Sequence, residues 1–275
     1  MSNQPIGIFD SGIGGLTVAT QVRKYCPGEE IIYFGDTARV PYGTKSARIV
    51  CQFSYQNTRF LLQFRPKLVV IACHTASCLA TDYLKQEFPS LVLVDVLKPS
   101  VEKALNHTRS GRIGVIGTTA TINSKRYQMS LESANNSIRV YATACPLFVP
   151  LVEEGWIDNQ VSREIASIYL RPLKQKKVDT VILACTHYPL LRKVIAGVLG
   201  DGVRLIDPSE EVAAQVAAHL RRGAANRSSV GRGRLRLYFS DCSPRLKKVV
   251  RLFLGQTKVT IKELKPDFLP EVFNV

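Results

Sequence analysis

The 275-residue sequence predicts an α/β protein of two similar, doubly wound parallel-sheet domains that face each other across a cleft. Three observations carry that prediction. Short apolar runs alternate with longer stretches of helical periodicity, the series of strands occurs twice in register, and chemically active side chains stand at the ends of matched strands.

In order along the chain, IGIFD (6–10), IIYFGD (31–36), LVVIAC (68–73) and LVLVDV (91–96) read as strands. Their near-continuous apolar character suits a parallel sheet covered on both faces. LTVATQVRKYC and the long segment 44–64 carry helix-like spacing between them. The second half opens the same way, with RIGVIGT (112–118), SIRVYA (137–142), TVILAC (180–185) and VRLID (203–207). RRGAANRSSVGRGRLR (221–236) holds six arginines among Gly, Ser and Asn and reads as a mobile loop. SPRLKKVVR (243–251) reads as the exposed face of a late helix.

The two halves align. Cys73 and Cys185 each end a strand and lie 112 positions apart, as do Asp95 and Asp207. IGIFDS at the start corresponds to IGVIGT about 107 positions on, and a threonine follows each of the two cysteines within two residues. Three matches in register indicate duplicated α/β units, which would set one thiol on each side of a shared cleft.

Composition narrows the function classes. The longest apolar runs are far shorter than the ~20 residues of a membrane span. The start, MSNQPIGIFD, lacks the basic-then-apolar pattern of a signal peptide. Seven cysteines at 26, 51, 73, 78, 145, 185 and 242, with no CxxC pair, do not form a disulfide framework, so a reducing cytoplasm is expected. The net charge of +15 leaves room for an anionic partner, nucleic acid or an acidic protein, at the Arg-rich segment 221–236. The alternative there is a solvated surface.

In open parallel sheets ligands bind beyond the carboxyl ends of the strands, where Asp10, Asp36, Cys73, Thr118 and Cys185 all fall. Several precede a predicted helix, whose first amides favour anions and lower a thiol's pKa. One cysteine at a strand end could be packing alone; two in matched positions point to chemistry. Like acid/base groups on opposite faces of a pocket suit a nearly symmetrical reaction, and racemisation is the clear case: one base removes a proton and the other group returns one from the opposite side. Free cysteine titrates near ~8.5, so a thiolate and a thiol can coexist. Asp10, at a strand end ahead of a Gly-rich turn, reads as a partly solvated carboxylate. His187, two residues past Cys185, can tune that thiol or relay a proton.

Two rivals use the same residues. Zinc accepts two thiolates and two imidazoles, which Cys73, His74, Cys185 and His187 supply, but neighbouring side chains on a strand diverge. GIGGLT (12–17) partly resembles a dinucleotide-binding GxGxxG with Asp36 as the ribose acid, yet Thr17 replaces the third glycine and hydride transfer has no use for two matched thiols. No lysine motif suggests a pyridoxal Schiff base, so activity without cofactor or metal is expected.

DSGIGGLTV (10–18), FGDTARVPYG (34–43), ACPLFVPLVEEG (144–155) and ACTHYPLL (184–191) resemble signature stretches of the glutamate racemase family, within the cofactor-independent aspartate/glutamate racemase superfamily. The resemblance runs from about residue 5 to 215. It implies a cytoplasmic, homodimeric enzyme that interconverts L- and D-glutamate and supplies D-glutamate for peptidoglycan. It implies that residues 1–97 with 208–275 form a discontinuous first domain and 98–207 the second. Cys73 and Cys185 would be the acid/base pair, with Asp10 assisting near Cys73 and His187 near Cys185. Glu153, ahead of Glu154, would be a third ionisable neighbour. Ser11, Tyr42, Gly43, Thr75 and Thr186 match positions that bind the ammonium and carboxylates, Asp10 and His187 also facing the substrate, with Thr118, Thr119 and Thr121 at the corresponding turn of the second repeat. The family usually has Asn after the first thiol, where this chain has His74. Imidazole is bulkier and, if protonated, would attract the carboxylates and repel the ammonium. Aspartate racemase is the neighbouring alternative, and binding of nucleic acid or protein by the basic segment could accompany catalysis.

Overall fold

The computed structural model describes residues 4–223, 233–244, 246–255 and 259–264. The first four strands are β1 (Ile6–Asp10), β2 (Ile31–Gly35), β3 (Leu68–Ile71) and β4 (Leu93–Asp95). They are connected through α1 (Leu16–Tyr25), α2 (Ala47–Leu62), α3 (His74–Leu79) and α4 (Thr81–Glu87). After α5 (Leu97–His107) come β5 (Arg112–Gly117), α6 (Thr119–Asn123), α7 (Arg126–Ala134), β6 (Arg139–Ala144), α8 (Phe148–Glu153) and α9 (Gln160–Gln175). β7 (Thr180–Ala184), α10 (Arg192–Leu199), β8 (Arg204–Ile206), α11 (Ser209–Gly223), β9 (Leu235–Phe239), α12 (Leu246–Leu254) and β10 (Thr260–Glu263) complete the described chain.

All strand pairings are parallel and fall into two sheets, ordered β10-β9-β2-β1-β3-β4 and β6-β5-β7-β8. The order β2-β1-β3-β4 recurs as β6-β5-β7-β8. The register recurs too: Ile6 pairs with Leu68 as Ile113 pairs with Thr180, and Val69 pairs with Leu93 as Val181 pairs with Leu205. The offsets of 107 and 112 found in the sequence are therefore offsets between equivalent strands. The second sheet lacks a counterpart of β9 and β10 among the described residues.

Period-2 alternation explains why each sheet is covered twice. Ile6, Ile8, Ile31, Tyr33, Leu68 and Val70 pack on the side of α1, α11 and α12. Phe9, Ile32, Phe34, Val69 and Ile71 pack against α2 and α3. In the second sheet Val181, Leu183 and Leu205 face α8 to α10, while Ile113, Val115, Ile182 and Ile206 face α5 and α7. The central strands are largely apolar because successive residues enter cores on opposite faces.

Three expectations are corrected. SIRVYA starts its strand at Arg139 and runs on to Ala144, two residues later than predicted, because β6 registers against all six residues of β5. The Arg-rich stretch 221–236 is not a loop throughout: Arg221 and Arg222 close α11, and Leu235 and Arg236 open β9, which pairs with β2. Its middle, 224–232, lies outside the described residues. The basic helix is amphipathic rather than wholly exposed, with Leu246, Val249, Val250 and Leu254 buried against the first core.

Candidate active site

The C-terminal ends of β3 and β7, with the turns after β1, β2 and β5, converge on one cavity of about 20 Å³. Ser11, Tyr42, Gly43, Cys73, His74 and Thr75 line it from the first sheet. Thr118, Cys185, Thr186 and His187 line it from the second, and Val40, Pro41 and Val149 close the rim. Of the residues predicted for the site, Asp10, Glu153, Thr119 and Thr121 are not part of this lining.

Glycine lets the two halves approach. A Cβ at Gly14 would lie 2.6 Å from His187 Nδ1, and one at Gly43 would lie 2.7 Å from Thr118 Cγ2. The Gly-rich turn after β1 is thus pressed against the end of β7 rather than arranged for a pyrophosphate. Thr75, Thr118 and Thr121 join the halves through a ring of hydroxyls, each 3.0 Å from the other two. Thr118 also caps α6, its Oγ1 accepting from Thr121 N at 3.4 Å, whereas Thr119 enters α6 and does not reach the lining.

Cys73 stands between β3 and α3, 5% exposed, its Sγ 3.5 Å from Ser11 Oγ. Burial, and after it the charge of Asp10, pushes its thiol up to about 11 against hydrogen bonds from Ala76 and Ser11 that lower it. Burial likewise pushes the Cys185 thiol up, against the backbone amide of His187, and Cys73, Asp10 and Glu153 add to the rise. Cys185 therefore senses the charge of Cys73 across the cavity. Backbone amides do lower both thiols, but desolvation outweighs them and the net shift is upward.

Asp10 is also not partly solvated. It is fully buried, with Oδ2 accepting from the amides of Gly12 (3.1 Å) and Gly15 (3.0 Å) and Oδ1 unpartnered among the described residues. Burial raises its pKa despite those amides and the opposing field of His187. On the other wall His187 Nδ1 lies 4.0 Å from Cys185 Sγ, and its Nε2 lies 3.2 Å from Glu153 Oε1. Glu153 thus orients the imidazole beside the thiol, while Glu154 borders an adjacent cavity with Gly12 and Val40. His74 is 4% exposed, and burial pushes its pKa down to about 3, so the ring is neutral and the cation considered above does not form.

Asp36, expected among the strand-end residues, takes a supporting place, and Asn57 and Phe253 escaped the sequence reading. Asp36 is fully buried; Oδ2 accepts from Tyr42 Oη and from Arg39 Nε at 2.7 Å, and Oδ1 accepts from Ser240 Oγ at 2.9 Å. Asn57 Nδ2 donates to Tyr42 Oη at 2.9 Å. Together they fix the turn that presents Tyr42 and Gly43. The signal was the polar run Ser54, Gln56, Asn57 and Thr58 inside an otherwise amphipathic helix, all of it buried. Phe253 of α12 meets His187 edge-on, centroids 5.8 Å apart, and packs on cores of both halves. No spacing in the sequence marked it.

Two thiols reach one enclosed space from equivalent strand ends, each with its own carboxyl or imidazole neighbour, and hydroxyls and amides lie between. That set can move a proton on one face of a bound carbon and return one on the other.

The chain matches a family model described as Asp/Glu/Hydantoin racemase over residues 16–216. It is 46% identical over 255 residues to a glutamate racemase of Chlorobaculum parvum, covering 92% of this chain and 93% of that one. It is 47% identical over 250 residues to a glutamate racemase of Geobacter metallireducens, covering 91% and 92%. Among solved structures it resembles the glutamate racemase of Francisella tularensis in complex with D-glutamate, with a TM-score of 0.91, 35% identity and coverage of 97% and 99%.

Proposed function

The chain belongs to the Asp/Glu/hydantoin racemase family, and on that premise we propose that it interconverts L- and D-glutamate by moving the α-proton between Cys73 and Cys185. The observation that carries this reading is the pair of thiols at equivalent strand ends on the two walls of one cavity.

Glutamate binds with its α-carbon between the sulfurs. One cysteine, ionised, takes the α-proton; the other, as a thiol, delivers its proton to the opposite face. After turnover the two sulfurs have exchanged protonation states, and the reverse reaction uses them in the reverse order. Ionising either thiol works against burial, and that is the task of the assisting groups. Asp10 relays a proton at the Cys73 wall, and His187, held by Glu153, does so at the Cys185 wall. Ser11, Tyr42, Gly43, Thr75, Thr118 and Thr186 hold the carboxylates and ammonium with hydroxyls and backbone amides. The dry enclosure strengthens each of these interactions at the carbanion stage. No cofactor takes part.

We read the sequence as two domains, residues 1–97 with 208–275 and residues 98–207, a reading supported by the two described sheets. We read the enzyme as a cytoplasmic homodimer whose D-glutamate enters peptidoglycan; among the described residues no helix is long and apolar enough to cross a membrane. An anionic partner at segment 221–236 remains part of this reading. Retention on an anionic matrix that is lost when the arginines are replaced supports it, and no binding at low salt removes it.

The direct test incubates the purified protein, without added cofactor, with L-glutamate and separately with L-aspartate, and follows optical activity. Glutamate reaches equal amounts of both hands and aspartate reacts far more slowly. No change with glutamate contradicts the reading.

A further inference from the structure

Between α9 and α10 lies a groove of about 770 Å³ whose lining shares no residue with the cleft. Arg163, Ser167, Arg171 and Lys174 line it from α9. Their spacing of three or four residues sets them on one face of the helix, over a length of about 16 Å. Val194 and Val198 of α10 supply an apolar floor. At the N-terminal end of α9, Asp158 pairs with both Arg163 and Lys193, the latter at 2.6 Å. Farther along, Arg171 and Lys174 are exposed and have no ion-pair partner among the described residues. Ile168, on the same helix, is 70% exposed, the most exposed large hydrophobic side chain among the described residues.

The surface calls for an anion, and its other features select which kind. Exposed Lys and Arg side chains hold a lone small anion weakly, because water and salt screen each pair. An extended ligand that meets several contacts at once does better. A nucleic-acid strand gains from aromatic rings on which its bases stack, and the lining holds none. Its phosphates would also meet Asp158, and it has no use for the aliphatic surface. A second copy docked symmetrically on this face would bring the same cations together. A protein segment that carries both carboxylates and aliphatic side chains suits every part: carboxylates for Arg171 and Lys174, aliphatic groups for Ile168, Val194 and Val198.

We propose that the α9–α10 groove docks an acidic helix of a partner protein, with Arg171 and Lys174 as its charge contacts and Ile168 as its apolar contact. This does not rest on the glutamate reading, and it uses other elements than the Arg-rich segment 221–236. A helix laid along the groove presents side chains at the same three- and four-residue spacing as α9 itself, so glutamates on one edge and leucines beside them meet the cations and the floor together.

The test follows the fluorescence anisotropy of a fluorescein-labelled helical peptide, with Glu and Leu along one face, as the full chain is added. The peptide binds at low salt and is released as salt rises. Arg171→Glu combined with Lys174→Glu raises Kd about tenfold, as loss and reversal of two charge contacts does. Ile168→Glu weakens binding as well. Lys24→Glu combined with Lys85→Glu changes the net charge equally at exposed positions of α1 and α4, and leaves binding in place. A peptide with Lys in place of Glu binds the variant reversed at 171 and 174 and not the wild type. Thermal denaturation checks that each variant is folded. Equal loss in the two paired variants means attraction by net charge alone and overturns the proposal. So does no binding at low salt, or a single-stranded oligonucleotide that binds more tightly than the peptide and is released by the change at 171 and 174.

Discussion

Asp10 carries the sharpest conflict of any side chain in the cleft, a carboxyl fully buried with one oxygen unpartnered among the described residues. A carboxyl whose folded pKa is raised favours folding only while protonated. That contribution is lost as pH rises from the ordinary value of 3.8 through the raised one, so at neutral pH ionised Asp10 opposes folding. Asp10→Asn keeps an acceptor for Gly12 and Gly15 and removes the charge. It is expected to raise Tm at pH 7 by about 2–4 °C, about 1 kcal/mol for a chain of this size, while racemisation falls steeply. Calorimetry with an activity assay checks both; a lower Tm would contradict the account. The thiols give a second expectation. With Cys73 pushed up to about 11, the ionised form is scarce at neutral pH, so kcat/KM should climb about tenfold per unit from pH 7 to 8.5. A flat profile would mean that the resting enzyme already holds a thiolate. At this scale the sequence made the two cysteines legible through their repeat spacing, and Asp10 and His187 through the motifs at the strand ends. It could not show their electrostatics, because burial depends on what the other half of the chain places over them.

Strands and helices were legible for a different reason. β1, β2, β3 and β7 are near-continuous apolar runs because both faces of each sheet are covered, and such runs stand out against the helices between them. β9 and β10 did not stand out: Arg236, Lys262 and Glu263 interrupt them at the sheet margin, where one side of the strand meets solvent. The glycines were visible as a turn, but their use was not, since the atoms they admit come from the second half of the chain. Gly43→Ala would press a methyl against Thr118 and part the hydroxyl ring that joins the walls. A displacement of about 1 Å at a reacting centre costs on the order of 10²-fold, so kcat/KM should fall by about that factor. Gly197→Ala is the control: its Cβ meets nothing within 4 Å, and it sits inside α10. That variant should keep full activity and gain about 0.5–1 kcal/mol of stability from helix propensity. Equal kinetics for the two variants would contradict the role given to Gly43.

The molecule as a whole is two copies of one sheet topology closed upon a space of about 20 Å³, room for little more than a water. A ligand gripped from both walls stabilises the folded chain by mass action, about 2.7 kcal/mol at a hundredfold excess over Kd. That should raise Tm by about 5–10 °C with glutamate, seen by thermal denaturation; no shift would mean that the cleft does not take it up. The pseudo-symmetry itself has a chemical counterpart, because one proton-transfer group comes from each copy. The most direct test of that claim is α-proton exchange in heavy water, with Cys73→Ser and Cys185→Ser compared on each hand of glutamate. Each variant should lose racemisation and lose deuterium incorporation from one hand only, the two variants failing on opposite hands. Loss of exchange from the same hand in both, or from neither, would contradict a two-thiol reaction.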